Sequence, residues 1–139
     1  MDYNLERFKK AQVDSYETAL EEIRNGHKES HWMWYVFPQL KELGYSSTSK
    51  YYGISNAGEA EAYMEDSLLR SRLVEISEAL LALPSNDAIE IFGYPDNLKL
   101  RSCMTLFAET VPGIPVFRKV IEKFYEGKKD PATLELLKK

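Results

Sequence analysis

Apolar residues along this chain fall mostly at steps of three and four, with polar or turn-forming residues between them, and that spacing predicts helices. A short first helix spans Leu5–Gln12. Asp14 or Ser15 offers an N-cap, with Glu17 in capping-box spacing from Asp14, and Val13, Tyr16, Leu20 and Ile23 form the inward face of the second helix. Gly26 ends it, because glycine takes the left-handed conformation at little cost. From His27 to Leu43 the pattern changes: Trp32-Met33-Trp34-Tyr35-Val36-Phe37 is apolar on every side and stops at Pro38. Such a run is buried whether helical or extended; Ser30 suits a cap, and a short buried helix is the expectation. Residues 44–53 carry three serines between two glycines and predict a loop with room for one helical turn.

The second half is more regular. Ser55 or Asn56 opens a helix to about Met64. Asp66 caps a longer one whose stripe is Leu69, Leu73, Ile76, Leu80 and Leu83, ended by Pro84. Ser85 is expected to cap Asn86–Phe92, a stretch that also suits a brief strand. Asp96 is expected to cap the next helix, with Leu100, Cys103, Met104, Phe107 and Val111 inward. Pro115 fits the first turn of a helix facing inward through Phe117, Val120, Ile121 and Phe124 and closed by Gly127. Asp130-Pro131 starts a last helix in which Leu134 and Leu137 dock. The expectation is a single all-α domain over residues 1–139, a bundle of about six to eight helices.

Composition narrows the functional classes. With 18 basic against 22 acidic residues the net charge is −4, and the basic residues are scattered, which argues against nonspecific nucleic-acid binding. No apolar run reaches the roughly 18 residues of a membrane span. The single cysteine permits no internal bridge, and no leader is apparent at the amino end, so a reducing, cytoplasmic setting is expected.

Two segments carry candidate chemistry. In Ser30–Gln39 both tryptophans fall beside one of the two histidines. Aromatic walls suit stacking on a flat ligand, and Gln39 offers a polar edge. Polar handles inside an apolar run must find partners or cost stability, which singles out His31, Trp32 and Gln39. In the second segment Asp96, Lys99, Ser102 and Thr105 recur every three residues, a polar stripe opposite the apolar face. A lysine near a helix N-terminus gains nothing from the dipole, and the two together make a seat for phosphate or carboxylate. A plain cap at Asp96, paired with Lys99 beside a solvated Ser102, explains the same residues structurally. A third group, Gly44, Ser46, Ser47, Ser49, Tyr51, Tyr52 and Gly53, offers hydroxyls and amides for a ligand rim, or an ordinary loop.

A metal is not expected. His27 and His31 have the spacing of a shared helical face, but Gly26 and Ser30 place a helix boundary there and no other histidine exists. Cys103, on the apolar face of its helix, reads as a packed thiol.

The block His31-Trp32-Met33-Trp34-Tyr35-Val36-Phe37-Pro38-Gln39, with Leu43-Gly44, Tyr52-Gly53-Ile54, Phe92-Gly93, Asp96, Lys99-Leu100 and Thr105-Leu106-Phe107, resembles an uncharacterised bacterial and fungal family. This is a domain of unknown function whose members are often labelled calpastatin. The likeness runs from Arg7-Phe8 and Ala11-Gln12 to Asp130 and Leu137, and Arg101-Ser102-Cys103 departs from the family's paired serines. The resemblance implies a small, mainly helical fold and a place for a pocket, and names no reaction. Calpastatin itself is a long disordered inhibitor, whereas this composition is that of a folded domain.

The resulting expectation is a site where Ser30–Gln39 meets the start of the Asp96 helix. His31 and Asp96 would serve as acid and base, with Lys99 neutralising an anionic group. Trp32, Trp34, Gln39, Ser49, Tyr52 and Ser102 would hold a nucleotide-like or phosphorylated metabolite; no cofactor is specified. The alternative is a non-enzymatic interaction module presenting exposed aromatics. Oligomeric state is left open.

Overall fold

Hydrophobic periodicity and caps produce ten α-helices and one 3-10 turn among residues 3–138, which the computed structural model describes. They are α1 (Glu6–Val13), α2 (Tyr16–Arg24), α3 (Met33–Val36), α4 (Ser47–Tyr51), α5 (Ala57–Glu65), α6 (Ser67–Leu81), α7 (Ala88–Phe92), α8 (Asp96–Thr110), α9 (Val116–Tyr125) and α10 (Pro131–Leu137), with the 3-10 turn at Lys41–Leu43. The protein is mainly helical, as expected, but has more helices than the six to eight predicted. The excess comes from α3, α4 and α7, each of four or five residues and too short to show a helical period.

Caps that act through local chemistry fall where the sequence puts them. Asn56 accepts from the Glu59 amide, Asp66 from Leu68 and Leu69, and Asp130 from Thr133. Three expectations need correction. Asp87, not Ser85, caps α7. Ser15 makes no capping bond; its hydroxyl lies 3.0 Å from that of Tyr35. Asp96 does not cap α8, because Pro95 holds that position and the carboxylate turns to two lysines. Val13 also departs from the predicted inward face, being 69% exposed where α1 gives way to α2.

Helix α8 is the centre of the molecule. It packs against α5, α7, α9 and α10, and α6 bridges α2, α5 and α9. Its middle, Ser102–Phe107, is buried on every side, while Leu98 and Glu109 nearer its ends stay exposed. Ser102 and Thr105, expected on a polar stripe opposite the apolar face, are covered: the Ser102 hydroxyl lies 3.0 Å from Asp130 Oδ2, and Thr105 Oγ1 accepts from the Asp130 amide at 2.9 Å. Phe8, Tyr63, Phe107 and Phe117 form one chain of ring contacts through the core, and Trp32, Phe37 and Phe92 another. Burying rings of this size stabilises by about 1.5–3 kcal/mol each.

The segment after α3 is set by a single parallel bridge between Leu40 and Ile54. The Lys41 amide donates to the Ile54 carbonyl and the Ile54 amide to that of Gln39. This bridge ties residues 39–54 into a compact excursion bearing the 3-10 turn and α4. Inside it the backbone at Gly44 passes so close to Ser49 that a Cβ there would overlap the serine side chain.

Candidate functional site

The approach to the site is built on Glu22. Its carboxylate, 8% exposed, accepts from the Glu29 and Ser30 amides at 2.8 and 3.0 Å, the Ser30 hydroxyl at 2.6 Å and the Trp32 indole at 2.9 Å. Burial alone would raise its pKa. The Ser30 hydroxyl, the two amides and the indole outweigh burial and bring it from 4.5 down to about 2. A charged group at the end of α2 thus organises residues 27–32 without any regular structure.

Lys28 carries the connection onward. Its amide donates to the Ile91 carbonyl, and its ammonium donates to the Ser30 carbonyl at 2.7 Å and pairs with Asp96 Oδ2 at 3.0 Å. Lys99 pairs with the other Asp96 oxygen at 3.0 Å and stands 3.9 Å from the centre of the Trp34 ring. Burial pushes the Asp96 carboxyl upward, but the two ammonium groups prevail and hold it below the ordinary range.

Beyond Lys99 opens a cleft of about 550 Å³. Trp34 and Gln39 form one wall, Gly44–Ser46 and Ser49 a second, and Lys99, Ser102 and Asp130 a third, with apolar surface from Leu43, Pro95 and Leu98 between. Gln39 is 8% exposed, yet its side-chain amide has no hydrogen-bond partner among the described residues and belongs to the cleft wall. Asp130 directs Oδ2 to Ser102, to the Thr133 hydroxyl at 2.6 Å and to the Thr133 amide, whereas Oδ1 has no partner among the described residues. Ser49 is satisfied locally, donating to the Ser46 carbonyl at 2.8 Å.

Five of the expected site residues, Trp34, Gln39, Ser49, Lys99 and Ser102, share this cleft. Asp96 stands behind Lys99 as its ion-pair partner. The other three lie elsewhere. Trp32 is 1% exposed, because its indole N–H is consumed by Glu22. Tyr52 packs in a ring cluster with Phe8, Tyr35 and Tyr51. His31 is exposed outside the cleft lining, since the turn held by Glu22 points Trp32 inward and leaves its neighbour outward. His27 and His31 sit on irregular backbone rather than a helical face. Among the described residues no group of three or more His, Cys, Asp or Glu side chains is placed to hold a metal ion. Cys103 is fully buried, which pushes its thiol well above the usual range.

Glu22, Lys28 and Asp130 are the residues the sequence reading missed. Asp130 was visible only as a cap. Trp32 gave the one usable hint of Glu22: a buried indole N–H needs an acceptor.

The electrostatics also differ from expectation. Lys28, Lys99, Asp96 and Asp130 carry formal charges that cancel. The first turn of α8 is occupied as well: Asn97 donates to the Gly93 carbonyl, and Leu98 and Lys99 donate to that of Pro95. A neutral group of charges and three engaged amides leave little for an incoming anion.

No curated protein matches the chain. Among solved structures, it is similar to the conserved hypothetical protein Rv1873 from Mycobacterium tuberculosis, with 43% identity, a TM-score of 0.96, and coverage of 99% of this chain and 98% of that one. A family model described as "Protein of unknown function (DUF1810)" matches residues 2–137. The chain therefore belongs to the DUF1810 family.

Proposed function

We propose that the cleft between α3, α4 and the start of α8 binds a small, flat, nucleotide-like molecule. The observation that supports this most is Gln39: the residue is largely covered, it lines the cleft, and its amide makes no hydrogen bond among the described residues, so its donors and acceptor are open to a molecule that enters there. Trp34 beside it lines the cleft with aromatic surface, one face of which carries Lys99, and the apolar lining favours a flat ligand more than one that only pairs charges. The anionic, phosphorylated class expected from Lys99 is less well supported, because Asp96 already pairs with that ammonium. The acid–base pair of His31 and Asp96 drops out for a related reason: the imidazole lies outside the cleft and the carboxylate is held by two ammonium groups. We read the protein as a binding domain, and as one folding unit acting in the reducing cytoplasm.

A thermal-shift series with nucleosides, nucleotides and sugar phosphates tests the reading, since a ligand of the native state raises apparent stability. A flat nitrogen heterocycle is expected to raise Tm, and Gln39→Leu to abolish the rise. Wild-type protein unmoved by any of these would contradict the proposal. Tyr45 and Tyr94, 93% and 76% exposed, favour a second reading in which the cleft rim docks another protein. Under that reading Tyr45→Ser abolishes partner capture and leaves small-molecule shifts intact.

A further inference from the structure

From the donors and acceptors left over in the cleft, we infer that its ligand presents an amino-substituted edge, as in an aminopurine or aminopyrimidine, with Asp130 as the residue that selects it. This rests on the cleft being a small-molecule site and goes further by naming the chemistry of the edge.

Several polar groups of the lining are already engaged. Ser49 donates to Ser46, Ser102 lies within reach of the Leu98 carbonyl and Asp130, and Lys99 is paired with Asp96. Among the described residues the Trp34 indole N–H and the Tyr45 hydroxyl make no hydrogen bond, the Gln39 amide offers both donors and an acceptor, and Asp130 Oδ1 is the unengaged side-chain group that as a carboxylate oxygen only accepts. Donors are already present in the lining, and Asp130 is the side chain that calls for an N–H from the ligand. A ligand that uses both Asp130 and Gln39 offers an N–H to Asp130 and a donor–acceptor pair to Gln39. Adjacent amino and ring-nitrogen positions on an aminoheterocycle supply that combination, and the ring itself is flat enough for Trp34. A carboxylate or phosphate placed there would meet Asp130 as a like charge.

Asp130 is fixed firmly enough to discriminate. Its Oδ2 accepts from the amide and hydroxyl of Thr133 in α10 and lies 3.0 Å from the Ser102 hydroxyl of α8, whose single proton also reaches the Leu98 carbonyl. The Asp130 amide is held in turn by Thr105 Oγ1. With one oxygen locked, the other has a defined direction. Asn caps a helix as well as Asp does, so Asp130→Asn keeps α10 capped. The capping atom must be an acceptor, which leaves the amide NH2 at the position of Oδ1. The substitution thus converts an acceptor in the cleft into a donor with almost no change of shape.

Adenosine and purine riboside differ only in the exocyclic amino group and make the test direct. Fluorescence of Trp34, the tryptophan in the cleft wall, is titrated with each nucleoside in wild type, Asp130→Asn and Gln39→Leu. Wild type is expected to bind adenosine at least about tenfold more tightly than purine riboside, the range for a hydrogen bond to a charged group. In Asp130→Asn the preference disappears or reverses, and in Gln39→Leu both nucleosides weaken together. Equal wild-type affinities overturn the assignment of the edge and leave the small-molecule reading standing. A preference that survives in Asp130→Asn removes Asp130 as its source. If neither nucleoside perturbs Trp34, the aminoheterocycle inference fails, and the wider thermal-shift series decides separately whether the cleft binds anything. The wild-type comparison decides the inference even if a variant proves unstable.

Discussion

Trp32 and Trp34 are two residues apart and have opposite surroundings. Trp32 is sealed in the core, with its indole N–H bound to a buried carboxylate and its ring against Phe37 and Phe92. Trp34, inside α3, lies in the wall of a cleft with a lysine over its face. The first is positioned by Glu22, the second by the start of α8. One aromatic motif therefore serves two purposes: half anchors the fold and half is exposed to solvent chemistry. Composition cannot separate them; only the location of a partner for each polar edge does.

The sharpest way to break this contrast is to remove the anchor. Glu22→Ala leaves two amides, a hydroxyl and an indole N–H without their acceptor and is expected to cost about 3 kcal/mol, read by urea denaturation. The same carboxylate sets an acid response. Its folded pKa of about 2 lies below the ordinary 4.5, so its contribution is complete above pH 4.5 and is lost as the pH falls towards 2. Denaturation between those pH values should show a steeper loss in wild type than in Glu22→Gln; equal slopes would deny Glu22 this role.

Substituting each tryptophan alone gives the next largest effect. Trp32→Phe loses buried ring surface and the bond to Glu22, about 2 kcal/mol. Trp34→Phe is expected to stay within about 0.5 kcal/mol, as for a surface change, while weakening any stacked ligand. Stability losses of similar size would contradict the division between them. The lysines sharpen it further. Lys28→Met breaks a pair whose ammonium side chain is 9% exposed and is expected to cost about 1–2 kcal/mol. Lys99→Met breaks a more exposed pair and should cost less than about 1 kcal/mol. The smallest effect belongs to His31→Ala, expected within about 0.5 kcal/mol and without influence on ligand shifts, because the imidazole lies outside the cleft. A lost ligand response in that variant would return His31 to the site.

The fold was legible where the responsible chemistry is local. Asn56, Asp66 and Asp130 cap as their positions suggest, and Leu69, Leu73, Ile76 and Leu80 are buried at helical spacing. Legibility failed where a side chain is used across the structure. Asp96 looked like a cap but answers to Lys28, 68 positions earlier. Glu22 looked like one more acidic residue on α2 until the chain folded back over it. Ser102 and Thr105 read only as a polar stripe, because nothing in α8 announces that α10 and Asp130 lie across them. The cleft was partly legible for the same reason: Gln39 and Trp34 stood out as polar or aromatic residues in an apolar run, while Leu43, Pro95 and Leu98 have no distinguishing chemistry until they share a wall.

The unpartnered amide of Gln39 is the group in the cleft that a bound ligand should engage. Nitrogen-15 NMR that follows the Gln39 side-chain NH2 during titration with adenosine tests this most directly. This signal is expected to move and saturate together with the backbone amides of Ser49, Leu98 and Ser102, while that of His31 stays still. Saturable shifts confined to residues outside the cleft, with the Gln39 signal unmoved, would contradict this.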